Sequence, residues 1–202
     1  MKQQRIGILG GTFNPIHNGH LIIAESAYDE FELDRVLIMP SGISYLKNQA
    51  EILPGKIRAE LVELAIAGNE HFALSTLELD RPGKTFTYET ILNLKAIYPD
   101  AELYFILGAD SLFYIEKWKN PELIFKNCTI IVANRDEYTQ NDLEKKCHEL
   151  TEQYGALILT TSIPKFHVSS HEIRNRLKEN KTIRYLLPDA VISYIYNYHL
   201  YQ

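Results

Sequence analysis

The chain has 202 residues, 46% of them hydrophobic, and a formal net charge of −5 at pH 7. Length and hydrophobic content predict one domain over 1–202, and the acidic balance argues against a nucleic-acid partner while leaving small anionic ligands open. Cys128 and Cys147 form no C-x-x-C pair, so neither a disulfide framework nor a zinc site is expected, and no segment reads as a signal peptide or a membrane span, which predicts a cytoplasmic protein without a membrane partner.

The apolar run Ile6-Gly7-Ile8-Leu9 reads as a short buried strand, and 21–28 as the helix that follows it. Between them lies Gly10-Gly11-Thr12-Phe13-Asn14-Pro15-Ile16-His17-Asn18-Gly19-His20. Its two leading glycines let the backbone approach a ligand, and Asn18 is expected to cap the helix, so that free N–H groups and the positive dipole end face the loop. Such a setting suits a phosphate.

A second strand, 35–40, closes at Pro40 with the turn-prone Ser41-Gly42 after it. Residues 57–67 carry Ile57, Leu61, Leu64 and Ala65 at helical spacing and stop at Gly68-Asn69. The stretch 72–79 alternates as a half-exposed strand, 80–83 turns the chain, and a third helix is expected over 87–97. A fourth strand, 103–107, ends at Gly108-Ala109-Asp110 and gives way to helical patterning through Leu112, Phe113 and Ile115. Then come a fifth strand at 129–133, a polar helix at 142–154 and a sixth strand at 156–159, after which the chain is helical. The last helix opens at Pro188; its tyrosines suit packing on the domain, with a homo-oligomer contact as the other use open to them.

This alternation predicts an α/β fold: a Rossmann-like, doubly wound parallel sheet of about five to six strands, helices on both faces and a helical C-terminal segment. Ligands collect at the carboxyl ends of such strands, where Gly10-Gly11-Thr12, Ser41-Gly42, Gly108-Ala109-Asp110 and Asn134-Arg135 all fall.

His17 and His20 have a spacing that on a continuous helix would suggest a metal pair, but Gly19, the loop setting and the lack of a Cys or carboxylate partner nearby weigh for anion binding, and no metal ligands are assigned. Ser169-Ser170-His171-Glu172-Ile173-Arg174 has the Ser169…Glu172 spacing of a capping box and marks a helix start. Arg174, one turn inside, offers a fork matched to phosphate oxygens. His71, His148, His167, His171 and His199 lack comparable settings and are expected to be structural or on the surface.

The first loop together with Ser169-Ser170-x-x-Ile173-Arg174 resembles the nucleotidyltransferase superfamily marked by an H-x-G-H loop, and within it the bacterial nicotinate mononucleotide adenylyltransferase family. The Asn14-Pro15 pair, Thr87-Tyr88-Glu89-Thr90, Gly108-Ala109-Asp110 and Lys117-Trp118 favour that member. The resemblance implies adenylyl transfer from ATP to nicotinate mononucleotide, with Mg²⁺ accompanying ATP. It implies an ATP site of Gly10, Gly11, Thr12, Phe13, His17, His20, Lys47, Gly108, Asp110, Ser169, Ser170 and Arg174, with His20, Lys47 and Arg174 in the catalytic roles. It also implies an acceptor site of Thr12, Asn14, Thr87, Tyr88, Asp110, Lys117, Trp118 and Arg135, with Trp118 stacked on the pyridine ring and Arg135 meeting the mononucleotide phosphate. Asp110 could cap its helix, accept from a ribose, or do both. The loop departs from the family pattern at Ser44-Tyr45-Leu46-Lys47, where many members have Pro-Pro-His-Lys; the lysine survives and its neighbours do not.

Two other enzymes of the superfamily compete, a phosphopantetheine adenylyltransferase, commonly with Thr in place of His17, and a cytidylyltransferase. A non-catalytic nucleotide sensor is disfavoured by His20, Lys47 and Arg174 together, and a dinucleotide-binding oxidoreductase by the lack of G-x-G-x-x-G after the first strand.

Overall fold

Buried strand residues sort into two sets by parity, and each set has its own layer of helices. A computed structural model describes residues 3–43, 51–134, 138–163 and 168–202. Its elements run β1 (Arg5–Gly11), α1 (Asn18–Glu30), β2 (Arg35–Pro40), α2 (Gly55–Ile66), β3 (Phe72–Leu74), α3 (Thr87–Ile97), β4 (Glu102–Gly108) and α4 (Ala109–Tyr114), with a 3₁₀ turn at Ile115–Lys117. They continue with α5 (Pro121–Asn127), β5 (Thr129–Asn134), α6 (Gln140–Tyr154), β6 (Ile158–Ser162), α7 (Ser170–Lys178) and α8 (Asp189–Asn197). Leu9, Ile38, Ile106 and Ile131 face α1, α2, α7 and α8; Ile8, Leu37, Phe105 and Ile130 face α3, α4, α5 and α6. Period-two burial on both faces is what a parallel sheet covered by crossover helices requires.

The sheet is six-stranded in the order β3-β2-β1-β4-β5-β6, with every pairing parallel. The direction of winding reverses between β1 and β4, so the loops after these strands part and leave a crevice. Among the described residues no helix is long and apolar enough to cross a membrane.

Four expectations need correction. The third strand stops at Leu74: the Ser75 N–H still reaches the Ile38 carbonyl, but Thr76 then bonds Asp80 and turns the chain. The sixth strand lies at Ile158–Ser162 rather than 156–159, because Thr160, Thr161 and Ser162 continue the ladder beside Val132, Ala133 and Asn134. The residue flanking α1 is His17 rather than Asn18, whose N–H goes to Leu186 and side-chain amide to Tyr185. Helix α5, begun by Pro121 after the left-handed Asn120, fills a stretch in which no element is expected.

Cys128 is buried and its thiol is pushed up to about 12 by that burial, as suits a packed side chain. In α8 the Tyr194 hydroxyl donates to Glu60 of α2, while Tyr196 and Tyr198 are exposed.

Candidate active site

Two hollows open at the crevice between β1 and β4. One, of about 370 Å³, is lined by Gly10, His17, Gly108, Asp110, Trp118 and Ser169 among others; the second, of about 460 Å³, by Gly11, Thr12, Phe13, Asn14, His171 and Arg174 among others. His20 and Ser170 line both, so the two are lobes of one cleft that meet at the start of α1 and α7.

Contacts among the described residues hold His20 in place. Its ring stacks on that of His17 at 3.7 Å, meets Phe13 edge-on at 4.9 Å, and takes the His17 backbone N–H on Nδ1 at 3.2 Å. With Nδ1 accepting, the neutral ring carries its proton on Nε2, which makes that nitrogen a donor. His17 is buried beneath it, so the first histidine acts chiefly as the platform for the second. Gly19 makes the stack possible: a Cβ there would lie 2.9 Å from Val168 Cγ1 and 3.1 Å from His17 Nδ1.

The second motif closes the cleft from the opposite end of the chain. Ser169 caps α7, its Oγ accepting the Glu172 N–H at 3.1 Å, as its spacing predicts. Ser170 donates to the Pro15 carbonyl at 2.8 Å, so its side chain ties α7 to the first loop, and what it can offer a ligand is its N–H. That N–H and the one of His171 belong to the first turn of α7, beyond any intrahelical acceptor. Arg174 Nη1 donates to the Asn14 carbonyl at 2.8 Å, which orients the guanidinium and commits one of its five donors. His171, expected on the surface, is exposed but also lines the second lobe.

Two residues matter more than their sequence setting suggests. Arg58 is 4% exposed, and it donates to the carbonyls of Thr12 at 2.7 Å, Ser41 at 2.8 Å and Leu53 at 3.0 Å. Burial lowers its pKa, opposed by Tyr201 and Glu78 nearby. It joins the loops after β1 and β2 from below, and its place three and four residues before Leu61 and Val62 is the one sequence sign of burial. Asn14, expected to meet the acceptor, is buried, and its side chain bonds Leu53, Glu51 and Tyr201. Those bonds fix the shape of the loop where Asn14 lines the second lobe.

The acceptor-side residues are assembled differently. Trp118 lines the first lobe, half-buried and edge-on to Phe105 at 6.2 Å. Asp110 lines the same lobe from the first turn of α4; Gly108 flanks that helix and Asp110 makes no capping bond, which removes capping from its two expected roles. Thr87 and Tyr88 begin α3, where N–H groups again lack intrahelical acceptors. They do not line either lobe, and Lys117 does not either, its ammonium lying over Tyr114 at 4.4 Å. Lys119, which the sequence did not single out, lies over Phe86 at 4.3 Å and so joins the Trp118 segment to the start of α3. Glu78 accepts from the Gly42 N–H at 3.2 Å and from Thr85 and Thr90, and a Cβ at Gly42 would lie 2.5 Å from the Glu78 carbonyl oxygen.

Lys47 and Arg135 lie outside the described residues, as do His167 and the 44–50 part of the loop after β2. Among the described residues no group of three or more His, Cys, Asp and Glu side chains could hold a metal ion.

A cytidylyltransferase-like family profile matches residues 8–176. A protein of Lachnoclostridium phytofermentans named probable nicotinate-nucleotide adenylyltransferase is 42% identical over 98% of this chain and 99% of its own. One of the same name from a Thermoanaerobacter species is 38% identical over 100% of this chain and 96% of its own. The fold is also that of Plasmodium falciparum nicotinic acid mononucleotide adenylyltransferase complexed with NaAD, with a TM-score of 0.82 at 22% identity, covering 98% and 97% of the two chains.

Proposed function

The chain belongs to the cytidylyltransferase-like family and, within it, to the nicotinate-nucleotide adenylyltransferases, and from that premise we propose how its cleft works. The reaction moves the adenylyl group of ATP to nicotinate mononucleotide, giving nicotinate adenine dinucleotide and pyrophosphate, a step of NAD biosynthesis. A phosphate oxygen of the mononucleotide attacks the α-phosphorus in line, and the bond to the bridging oxygen breaks as pyrophosphate leaves with the electron pair. No covalent enzyme intermediate and no general base are needed, because the attacking phosphate is already an anion. The protein's task is alignment and charge stabilisation.

The observation that carries this reading is His20, a donor with a fixed tautomer standing where the two lobes meet. Its Nε2–H donates to the triphosphate, with His17 in a secondary role, as charge builds on the leaving oxygen. Arg174 neutralises the triphosphate from the second lobe, the first-turn amides of α7 add donors beside it, and Lys47 joins them from the loop after β2. Such a donor contributes on the order of 3 kcal/mol in the transition state. The strand-end backbone at Gly10, Gly11, Thr12, Phe13 and Gly108 lets ATP lie close to the sheet, with Asp110 accepting from a ribose.

Mg²⁺ would enter as a companion of ATP, an ion that prefers phosphate oxygens and water to an all-protein cage. When bound it supplies charge neutralisation across the phosphates.

On the acceptor side Trp118 stacks on the pyridine, the first amides of α3 at Thr87 and Tyr88 meet its carboxylate, and Arg135 meets the mononucleotide phosphate. Lys119 adds positive charge to that side. We place the reaction in the cytoplasm. The test is pyrophosphate release from ATP and Mg²⁺: it should be fast with nicotinate mononucleotide and much slower with nicotinamide mononucleotide or phosphopantetheine. No release with any pyridine nucleotide would end the proposal.

A further inference from the structure

We propose that Tyr201 is a positioning residue for the transfer, holding Arg174 and the first loop in their working arrangement through Asn14; this rests on the role given to Arg174 above. The path is continuous. The Tyr201 hydroxyl donates to Asn14 Oδ1 at 3.0 Å, and the same oxygen takes the Leu53 N–H at 3.1 Å. Asn14 Nδ2 donates to the Glu51 carbonyl at 2.9 Å. All the polar atoms of this buried side chain are thus engaged, and the carbonyl of the same residue receives Arg174 Nη1 at 2.8 Å. Removing the phenolic donor frees one side of the bracket that fixes that carbonyl.

The chain is bent to deliver this hydroxyl. After α8 the Leu200 N–H returns to the Ile195 carbonyl, and His199 and Tyr201 both take left-handed backbone, with φ of 49° and 66°. Neither residue adopts that conformation freely, so the surrounding packing must hold it. Leu200 and Tyr201 pack against the core shared by α1, α2, α7 and α8. The phenol comes to rest within electrostatic reach of both Arg58 and Arg174, and burial raises its pKa. It is therefore a donor throughout the neutral range. Arg58 braces the neighbouring Thr12 carbonyl and also bonds Leu53, so Tyr201 and Arg58 support the same two segments from different sides.

The experiment is steady-state adenylyl transfer to nicotinate mononucleotide by the wild type, Tyr201→Phe, Arg174→Ala and the double variant, with thermal unfolding of each. Phenylalanine keeps the ring and removes the donor. Tyr201→Phe should lower kcat by about tenfold, with KM for ATP within about twofold, because a small displacement of a charge-stabilising group costs rate more than binding. In the Arg174→Ala background it should cost nothing further, since the group it orients is gone. A Tyr201→Phe rate within twofold of wild type would overturn the proposal. So would equal losses in both backgrounds, or a loss confined to temperatures at which the variant has begun to unfold. Failure of the wild type itself to transfer would remove the functional reading and this proposal together; an active wild type with an indifferent Tyr201→Phe removes this proposal alone.

Discussion

On the phosphate side of the cleft, the contacts that set the geometry join residues far apart in the chain: Ser170 to Pro15, Arg174 to Asn14, Tyr201 to Asn14 and Arg58 to Thr12. On the acceptor side they are largely local, with Glu78, Arg81, Thr85, Glu89 and Thr90 bonded among themselves within one turn and the start of α3, and Trp118 placed by an aromatic edge. The first arrangement fixes donors as part of the fold, which is what charge stabilisation needs, since donors already aimed do not reorganise during reaction. The second can change by local substitution without disturbing the sheet. On the function proposed above, chemistry and acceptor choice fall to parts of the molecule with different structural support.

His20→Ala should break the phosphate side most severely, lowering kcat by about 10²–10³-fold with little change in KM for nicotinate mononucleotide. A loss confined to KM would move His20 from charge stabilisation to simple binding. Arg58→Ala tests the support beneath. It leaves the carbonyls of Thr12, Ser41 and Leu53 without their buried donor, a cost of about 3 kcal/mol and a fall in Tm of about 6–12 °C. An unchanged Tm would show that these loops are held without it.

The centre of the sheet was legible because β1, β2, β4 and β5 are short, largely apolar runs ended by Gly, Pro or Asn, a signal that needs no tertiary information. Strand 72–79 misled because alternation continues past Leu74 into a turn whose acid, Glu78, is directed to Gly42, Thr85 and Thr90. The cleft's lining was legible where its residues sit in contiguous motifs, as for His20 at the junction of the lobes and the cap at Ser169. Asn14 and Ser170 do line the cleft, but a sequence does not reveal that a partner more than a hundred residues away already engages the side chain of each. Arg58 was missed for the converse reason: its burial depends on carbonyls in three separate segments. The placement of Lys117 and Lys119 was not legible because it depends on the 3₁₀ turn before Trp118, which puts the first lysine over Tyr114 and leaves the second over Phe86.

The division between the two sides is tested most directly by measuring both Michaelis constants for Trp118→Ala. Loss of the stacking surface should raise KM for nicotinate mononucleotide by about tenfold, the equivalent of about 1.4 kcal/mol, and leave KM for ATP unchanged. An equal rise in both would contradict the account, because Trp118 would then support the cleft as a whole.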